Sequence, residues 1–453
     1  MEPTPQKIFE NFLNKTIDKS TLIQNLISII ENSDNLNIRI ESLEILKNVN
    51  VKDEYTFRFL ENLLISDKFE VIRKIAAELI KQKFIEKAIE PMKFGLFHED
   101  SPENLQIVYD ILIEIVRNLG KGNNYIAKSI LYNEITKIDQ KEFNLGLENN
   151  REFEVFEKFK EADLIDILVN YYTLIFLKKN FWRVKFKINN CKIIELDFIF
   201  KGLTSIPNAI KNLSSIKSLI FRYNQILNLP DWIGSLSSLE SLNLNVNNIT
   251  KLPDSIGSLN SLKELLLWKN DLKSLPDSIG SLRSLEFLNL RLNQLEDLPE
   301  TIMNLNSLKE LNLHDNRLIE LPQSIGLLRS LEKLNLSWNE LKRIPDSIGK
   351  LASLKILDLG RNELETIPNS IGSLSSLEDL NLSENYLKTI PNSIGNLKSL
   401  QKLDLSRNEL NYLPENIENL SDLKELYVGD NRLNSQYPKA IKKLENRGIK
   451  IYY

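Results

Sequence analysis

One cysteine, Cys191, stands in 453 residues, so no disulfide framework can be built. The chain has two histidines, His98 and His314. With Cys191 they supply too few ligands for a zinc site, and no metal is expected. Neither lies near the cysteine in sequence, whereas a Cys–His nucleophile needs its base within hydrogen-bond reach. Long apolar runs are missing too. The most apolar stretch, Leu164 to Leu177, is too short to cross a bilayer and contains Asp166 and Asn170. The opening residues, Met1-Glu2-Pro3-Thr4-Pro5-Gln6, lack the basic segment and apolar run of a signal peptide. Basic residues are not in excess: 58 Lys and Arg face 62 Asp and Glu, giving a net charge of −4, which argues against a nucleic-acid footprint. Gly120-Lys121-Gly122-Asn123 is a phosphate-loop lookalike, but it lacks GxxxxGK[ST] and follows no strand, so it reads as a helix-ending turn. No cofactor, catalytic residue or membrane insertion is expected.

What is present is repetition. From about Ile193 onward one unit recurs with a period of 23. Proline falls at Pro207, Pro230, Pro253 and on in the same step to Pro414. Asparagine keeps that step from Asn224 to Asn431. In Leu239, Leu242 and Leu244 the last two are two apart, so on a strand both point inward and their neighbours point outward. The asparagine amide can satisfy backbone groups inside a buried turn. The Leu-Pro pair opens a return segment, where proline fixes φ and donates no N–H. Ile256, Gly257 and Leu259 let that segment, one short helical turn, pack on the far side of the coil. A single unit cannot bury its apolar side, so stacking supplies the core.

Residues 1–150 follow another period. Leu22, Leu26, Ile29 and Ile30, then Leu36, Ile40, Leu43 and Leu46, recur at helical spacing. The stretches from Asn37, Val71 and Glu103 resemble one another at a step of about 34, with Arg39 and Arg73 in register. Residues 151–183 read as a joining helix. Val184, Phe186 and Ile188 then alternate, and Asn189-Asn190 offers the turn of a hairpin that caps the repeats, with Cys191 in that turn. At the far end a helix from Ala440 to Asn446 and a strand from Ile449 to Tyr453 close the array.

The repeats need their leucines, prolines and asparagines; the outward positions are free to vary. Those are the third, fifth, seventh and eighth of the LxxLxLxxN frame. Later repeats carry Asn, Asp, Ser or Gly at the fifth and seventh. Against that background Arg222, Tyr223, Val246, Leu266, Trp268, Phe287, Arg291, Leu292, His314, Trp338 and Arg361 depart, and they form the candidate protein-binding set. Exposed Trp, Tyr and Arg are the types enriched at interface hot spots. The same rings could instead cover the asparagine ladder or dock the chain's own helical half.

LxxLxLxxNxLxxLPxxIGxLxxL resembles the intracellular 23-residue class of leucine-rich repeats. That class includes the Ras-binding scaffolds, the plant intracellular Ras-group proteins and the repeat portion of Roco GTPases. The resemblance implies an α/β leucine-rich repeat solenoid with a curved parallel sheet over residues 184–453. It also implies recognition of a protein or peptide, with small GTPases among the partners, on the concave surface. Secreted members usually carry cysteine-paired caps, so one cysteine places this chain in the cytosol. Residues 1–150 resemble HEAT-like repeats, an all-α helical-repeat domain, with a generic helical bundle as the alternative. Bacterial effector ubiquitin ligases join such leucine-rich repeats to a cysteine-bearing helical domain; the helical half here has no cysteine. The reading is a non-enzymatic interaction scaffold. Its alternative is an adaptor or enzyme whose activity lies in the helical domain, with the repeats selecting the substrate. Oligomeric state is left open.

Overall fold

The computed structural model describes residues 4–119, 133–135, 138, 161–433 and 438–453. They form two compact units. The first comprises Met1–Arg183 with Ile188–Lys192, the second Val184–Lys187 with Ile193–Tyr453.

Apart from the strand-and-turn segment Ile188–Lys192, the first unit is built of helices among the described residues: α1 (Pro5–Leu13), α2 (Lys19–Asn32), α3 (Leu36–Asn48), α4 (Glu54–Ser66), α5 (Glu70–Lys83), α6 (Ile89–His98), α7 (Pro102–Leu119) and α8 (Glu161–Asn180). Starts are set by short polar side chains. Asp18 caps α2 by accepting the Thr21 amide at 2.7 Å, and Asp53 caps α4 through the Thr56 amide at 2.8 Å. Successive helices pack as pairs, α2 on α3, α4 on α5 and α6 on α7, and the second members α3, α5 and α7 also pack on one another. The two arginines in register join these layers. Arg39 in α3 forms an ion pair with Asp67, in the turn before α5, and donates Nε to the Ile30 carbonyl at 2.7 Å. Arg73 in α5 grips Glu99, in the turn before α7, through two 2.8 Å bonds, and donates to the Asp67 carbonyl at 2.8 Å. The helix α8 packs on α7 within this unit, Tyr109 stacking on Phe176 at 4.5 Å. Gly120–Asn123 and most of the polar stretch beyond it lie outside the described residues.

The second unit is a 13-stranded sheet in sequence order, β1 (Lys185–Asn189) to β13 (Lys450–Tyr452). The strands from β2 (Lys192–Asp197) onward are parallel; Leu242 of β4 (Ser241–Asn243), for example, pairs with Leu265 of β5 (Glu264–Leu266). Each of the ten strands from β3 (Ser218–Ile220) to β12 (Glu425–Tyr427) is three residues long and buries its middle leucine. The β1–β2 turn falls one residue later than the sequence suggested. Asn190 and Cys191 take its two left-handed positions, at φ 48° and 61°. The C-terminal helix α9 spans Pro438–Asn446, and β13 pairs in parallel with β12.

Three columns hold the coil together. Each ladder asparagine donates its amide to at least two carbonyls and accepts at least one amide from the preceding repeat. Asn247 donates to Phe221 (2.9 Å) and Leu244 (3.0 Å) and accepts from Ile226 (3.0 Å). Each proline caps a 3-10 turn, so the return segment is tighter than an α-helical turn, as in Asp254–Ser258 after Pro253. The following glycine lets turns stack: a Cβ on Gly326 would lie 2.0 Å from the Ser347 carbonyl oxygen. A fourth column, at the second frame position, alternates in charge from repeat to repeat. Glu240 takes Lys217 at 2.7 Å and Lys263 at 2.8 Å, and Lys309–Glu286 and Lys355–Glu332 continue the row. Hydrogen bonds from Lys217 and then Lys263 push the Glu240 carboxyl down to about 2. Solvent screens exposed pairs of this kind, so each contributes little to stability by itself.

Candidate functional site

The outward positions fall into two settings. The third and fifth frame positions flank the buried leucine on the strand. The seventh and eighth lie beyond the strand, where the chain bends. The eighth residue is left-handed in every repeat, including Tyr223 (φ 57°), Val246 (φ 58°), Leu292 (φ 55°), Trp338 (φ 57°) and Arg361 (φ 56°). For a β-branched residue such as Val246 that conformation is strained. The backbone still pairs across this bend, with the Val246 amide donating to the Trp268 carbonyl at 2.7 Å. Columns seven and eight therefore stack in register although they lie past the strands.

Four of the eleven candidates meet in one place. Arg291, His314, Trp338 and Arg361 line a depression of about 290 Å³. Trp338 is 47% exposed. The Arg361 guanidinium lies over its ring at 4.0 Å and pairs with Glu384 at 2.9 Å. His314 meets the same indole edge-on at 6.3 Å and shares a 2.8 Å hydrogen bond through Nδ1 with the Ser337 hydroxyl. Burial, reinforced by the Arg291 charge, pushes the His314 imidazole below its ordinary value. The remaining lining is Asn312, Asn335, Ser337, Asp358, Gly360, Asn381 and Ser383. These belong to the Asn, Asp, Ser and Gly background of the repeat, so departure from consensus could not reveal them. Gly360 forms a low point, since a Cβ there would meet Asn381 Nδ2 at 2.8 Å and Ser383 Oγ at 3.2 Å.

The other seven candidates lie outside this depression. Tyr223 carries Arg222 at 5.2 Å over its ring and stacks on Phe200 at 4.5 Å, making a separate aromatic cluster in the first repeats. Phe200 is 70% exposed and was missed, because it stands in the atypical repeat before Lys201. Val246, Leu266, Trp268 and Leu292 are half-buried, while Phe287 is exposed. Trp268 thus presents less of its ring to solvent than Trp338 does. Its indole N–H is enclosed with no acceptor among the described residues.

Chemistry in the helical unit finds less support. A depression of about 210 Å³ there is lined by Asp67, Arg73, His98 and Glu99, among others. Of its carboxylates, Asp67 and Glu99 are already held by Arg39 and Arg73, and Asp100 is exposed. His98 stacks on Phe94 at 4.0 Å and bonds its carbonyl. Among the described residues no group of acidic, His and Cys side chains could hold a metal, and no helix is long and apolar enough to cross a membrane.

Comparison with known proteins agrees with this architecture. A family model for a leucine-rich repeat region matches residues 257–336 and 301–385. A second, for the single leucine-rich repeat, matches 238–259, 376–397 and 399–420. No curated protein matches the chain. Among solved structures, a leucine-rich repeat protein of Leptospira interrogans is 30% identical, covering 57% of this chain and 83% of that one at a TM-score of 0.40. A TDR receptor is 32% identical over 57% of this chain and 46% of its own, at a TM-score of 0.52, so this chain spans about half of that structure. The leucine-rich repeats of FLRT2, in an octameric complex with Latrophilin 3 and Unc5D, are 24% identical over 59% of this chain and 90% of that one, at a TM-score of 0.47. No family of enzymes is among the matches. The second unit of this chain is a leucine-rich repeat domain.

Proposed function

We propose that the chain is a non-enzymatic scaffold that holds a protein partner on the strand face of its leucine-rich repeats. The observation that carries the reading is the Trp338–Arg361 stack beside the depression that also collects Arg291 and His314. Trp and Arg dominate hot spots because they combine large contact area with directional hydrogen bonds. Here an indole is half-exposed next to a recess, which is the arrangement an anchor needs. The wider resemblance to intracellular 23-residue repeats supplies small GTPases as a partner class, and the single cysteine favours the cytosol. The paired helices of the first unit, with Arg39 and Arg73 tying one pair to the next, support a HEAT-like second binding module.

Capture from native lysate tests this reading. The wild-type chain is compared with an Arg291→Ala/Trp338→Ala variant, and bound proteins are identified by mass spectrometry. At least one protein is expected to be retained by wild type and lost from the variant, with melting temperature unchanged. An identical set on both would place binding elsewhere.

A further inference from the structure

The depression around Gly360 has more unused donors than unused acceptors. Asn335 Oδ1 accepts both the amide (3.0 Å) and the hydroxyl (2.6 Å) of Ser337. Asn312 Oδ1 accepts the His314 amide at 3.1 Å. Those backbone bonds fix which end of each side chain is oxygen. Both Nδ2 groups are then left in the lining without an acceptor among the described residues. Ser337 has one hydroxyl proton and spends it on Asn335, so it accepts from His314 Nδ1. Asp358, the carboxylate of the lining, receives Asn381 Nδ2 at 2.9 Å and the Gly360 amide at 3.1 Å, both on Oδ1, so its Oδ2 stays open among the described residues. The Arg291 guanidinium has neither ion pair nor hydrogen bond among the described residues.

A ligand group for this place must bring acceptors. A carboxylate offers about four lone-pair positions and a negative charge to complement Arg291. An Asn or Gln side chain would leave the Arg291 charge uncompensated, and its two donors would meet chiefly His314 Nε2 and Asp358 Oδ2 as open acceptors. At about 290 Å³ the depression has room for a side chain of a bound segment. We propose that it anchors an Asp or Glu side chain of the bound protein segment, the carboxylate held by Arg291 and the Asn312 and Asn335 amides while neighbouring apolar atoms cover Trp338. This rests on the strand-face reading above and names the chemistry of the partner.

A phage-displayed library of random peptides, selected on the full chain, provides the test. Counter-selection uses Gly360→Trp, which fills the depression, or Ser337→Arg should that variant fold poorly. The selected peptides are expected to share one fixed Asp or Glu. Changing that residue to its amide should weaken binding to wild type at least tenfold, by calorimetry, yet change binding to Arg291→Met less than twofold. Selected peptides with no acidic position would overturn the carboxylate anchor alone, as would an equal acid-to-amide loss on wild type and Arg291→Met. Failure to enrich any peptide on wild type over both filled variants would overturn the strand-face reading as well.

Discussion

Replacing Asn316 by alanine lowers the stability of the repeat unit by about 3 kcal/mol, because one buried N–H left unpaired costs about 1–3 kcal/mol and each of two further hydrogen bonds lost costs about 0.5–1.5 kcal/mol. Asn316 is 7% exposed and donates to the carbonyls of Leu290 (3.0 Å) and Leu313 (3.1 Å), while its oxygen accepts the Leu295 amide (3.0 Å). The buried Leu295 amide loses its only partner, while the Leu290 and Leu313 carbonyls each keep one other ladder amide, from Asn293 and Asn339. Water cannot replace it, since Leu295, Leu313 and Leu318 close the site. The repeat is central, and a solenoid transmits order only through nearest neighbours, so the defect weakens the array on both sides. Asn312→Ala is the control. That side chain is half-buried and accepts only the His314 amide, so its loss costs about 1 kcal/mol. Urea unfolding followed by intrinsic fluorescence distinguishes the two; equal midpoints would refute the ladder's role.

In the helical unit the largest effect falls on Arg73→Ala. Glu99 has a side chain 4% exposed, and Arg73, 18% exposed, is its counter-ion. Removing one partner of a buried pair strands the other's charge, typically at about 3–5 kcal/mol. Arg73 keeps some contact with solvent, so about 3 kcal/mol is the expected loss. It reads out as roughly hundredfold faster amide exchange in α5 and α7, with the repeat strands unaffected. The pH dependence gives the sign. Burial alone would raise the Glu99 carboxyl, but the Arg73 hydrogen bond, the Ser101 amide and the Arg73 charge outweigh it, and the group lies below its ordinary value of 4.5. A carboxyl depressed in the folded state stabilises above its unfolded value, and that stability is lost as pH falls through the folded one. The gap between wild type and Arg73→Ala should therefore be full at neutral pH and narrow as the pH drops below 4.5. A gap that widens in acid would contradict the assignment.

These two sites show why the fold could be read from the sequence further than the binding site could. The ladder asparagine recurs once in every repeat because its three bonds recur, so a physical requirement becomes a visible column. Arg39 and Arg73 stood out through their spacing, but Asp67 and Glu99 are 28 and 26 residues away, and only packing shows the pairing. The strand-face site inverts the problem. Departure from the repeat pointed to Arg291, His314, Trp338 and Arg361, while Asn312, Asn335, Asp358 and Gly360 contribute by conforming to it. Trp268 departs as sharply as Trp338 but is half-buried with its N–H enclosed, a difference that depends on neighbours in adjacent repeats. The alternating Lys–Glu row was legible at the second frame position, as Lys217, Glu240, Lys263, Glu286 and Lys309. It was overlooked because its period is two repeats rather than one.

Whether a protein partner is held on the strand face at Trp338 can be read from the affinity of one captured partner for two single variants. Trp338→Ala removes the proposed anchor, and Leu327→Arg alters an exposed residue in a 3-10 return turn away from the strands. Titration calorimetry should show Trp338→Ala weakening binding at least thirtyfold, about 2 kcal/mol, the scale of a hot-spot residue. Leu327→Arg should change it less than twofold. The reverse pattern, with Trp338→Ala silent and Leu327→Arg damaging, would refute strand-face binding and move the site to the return-turn side.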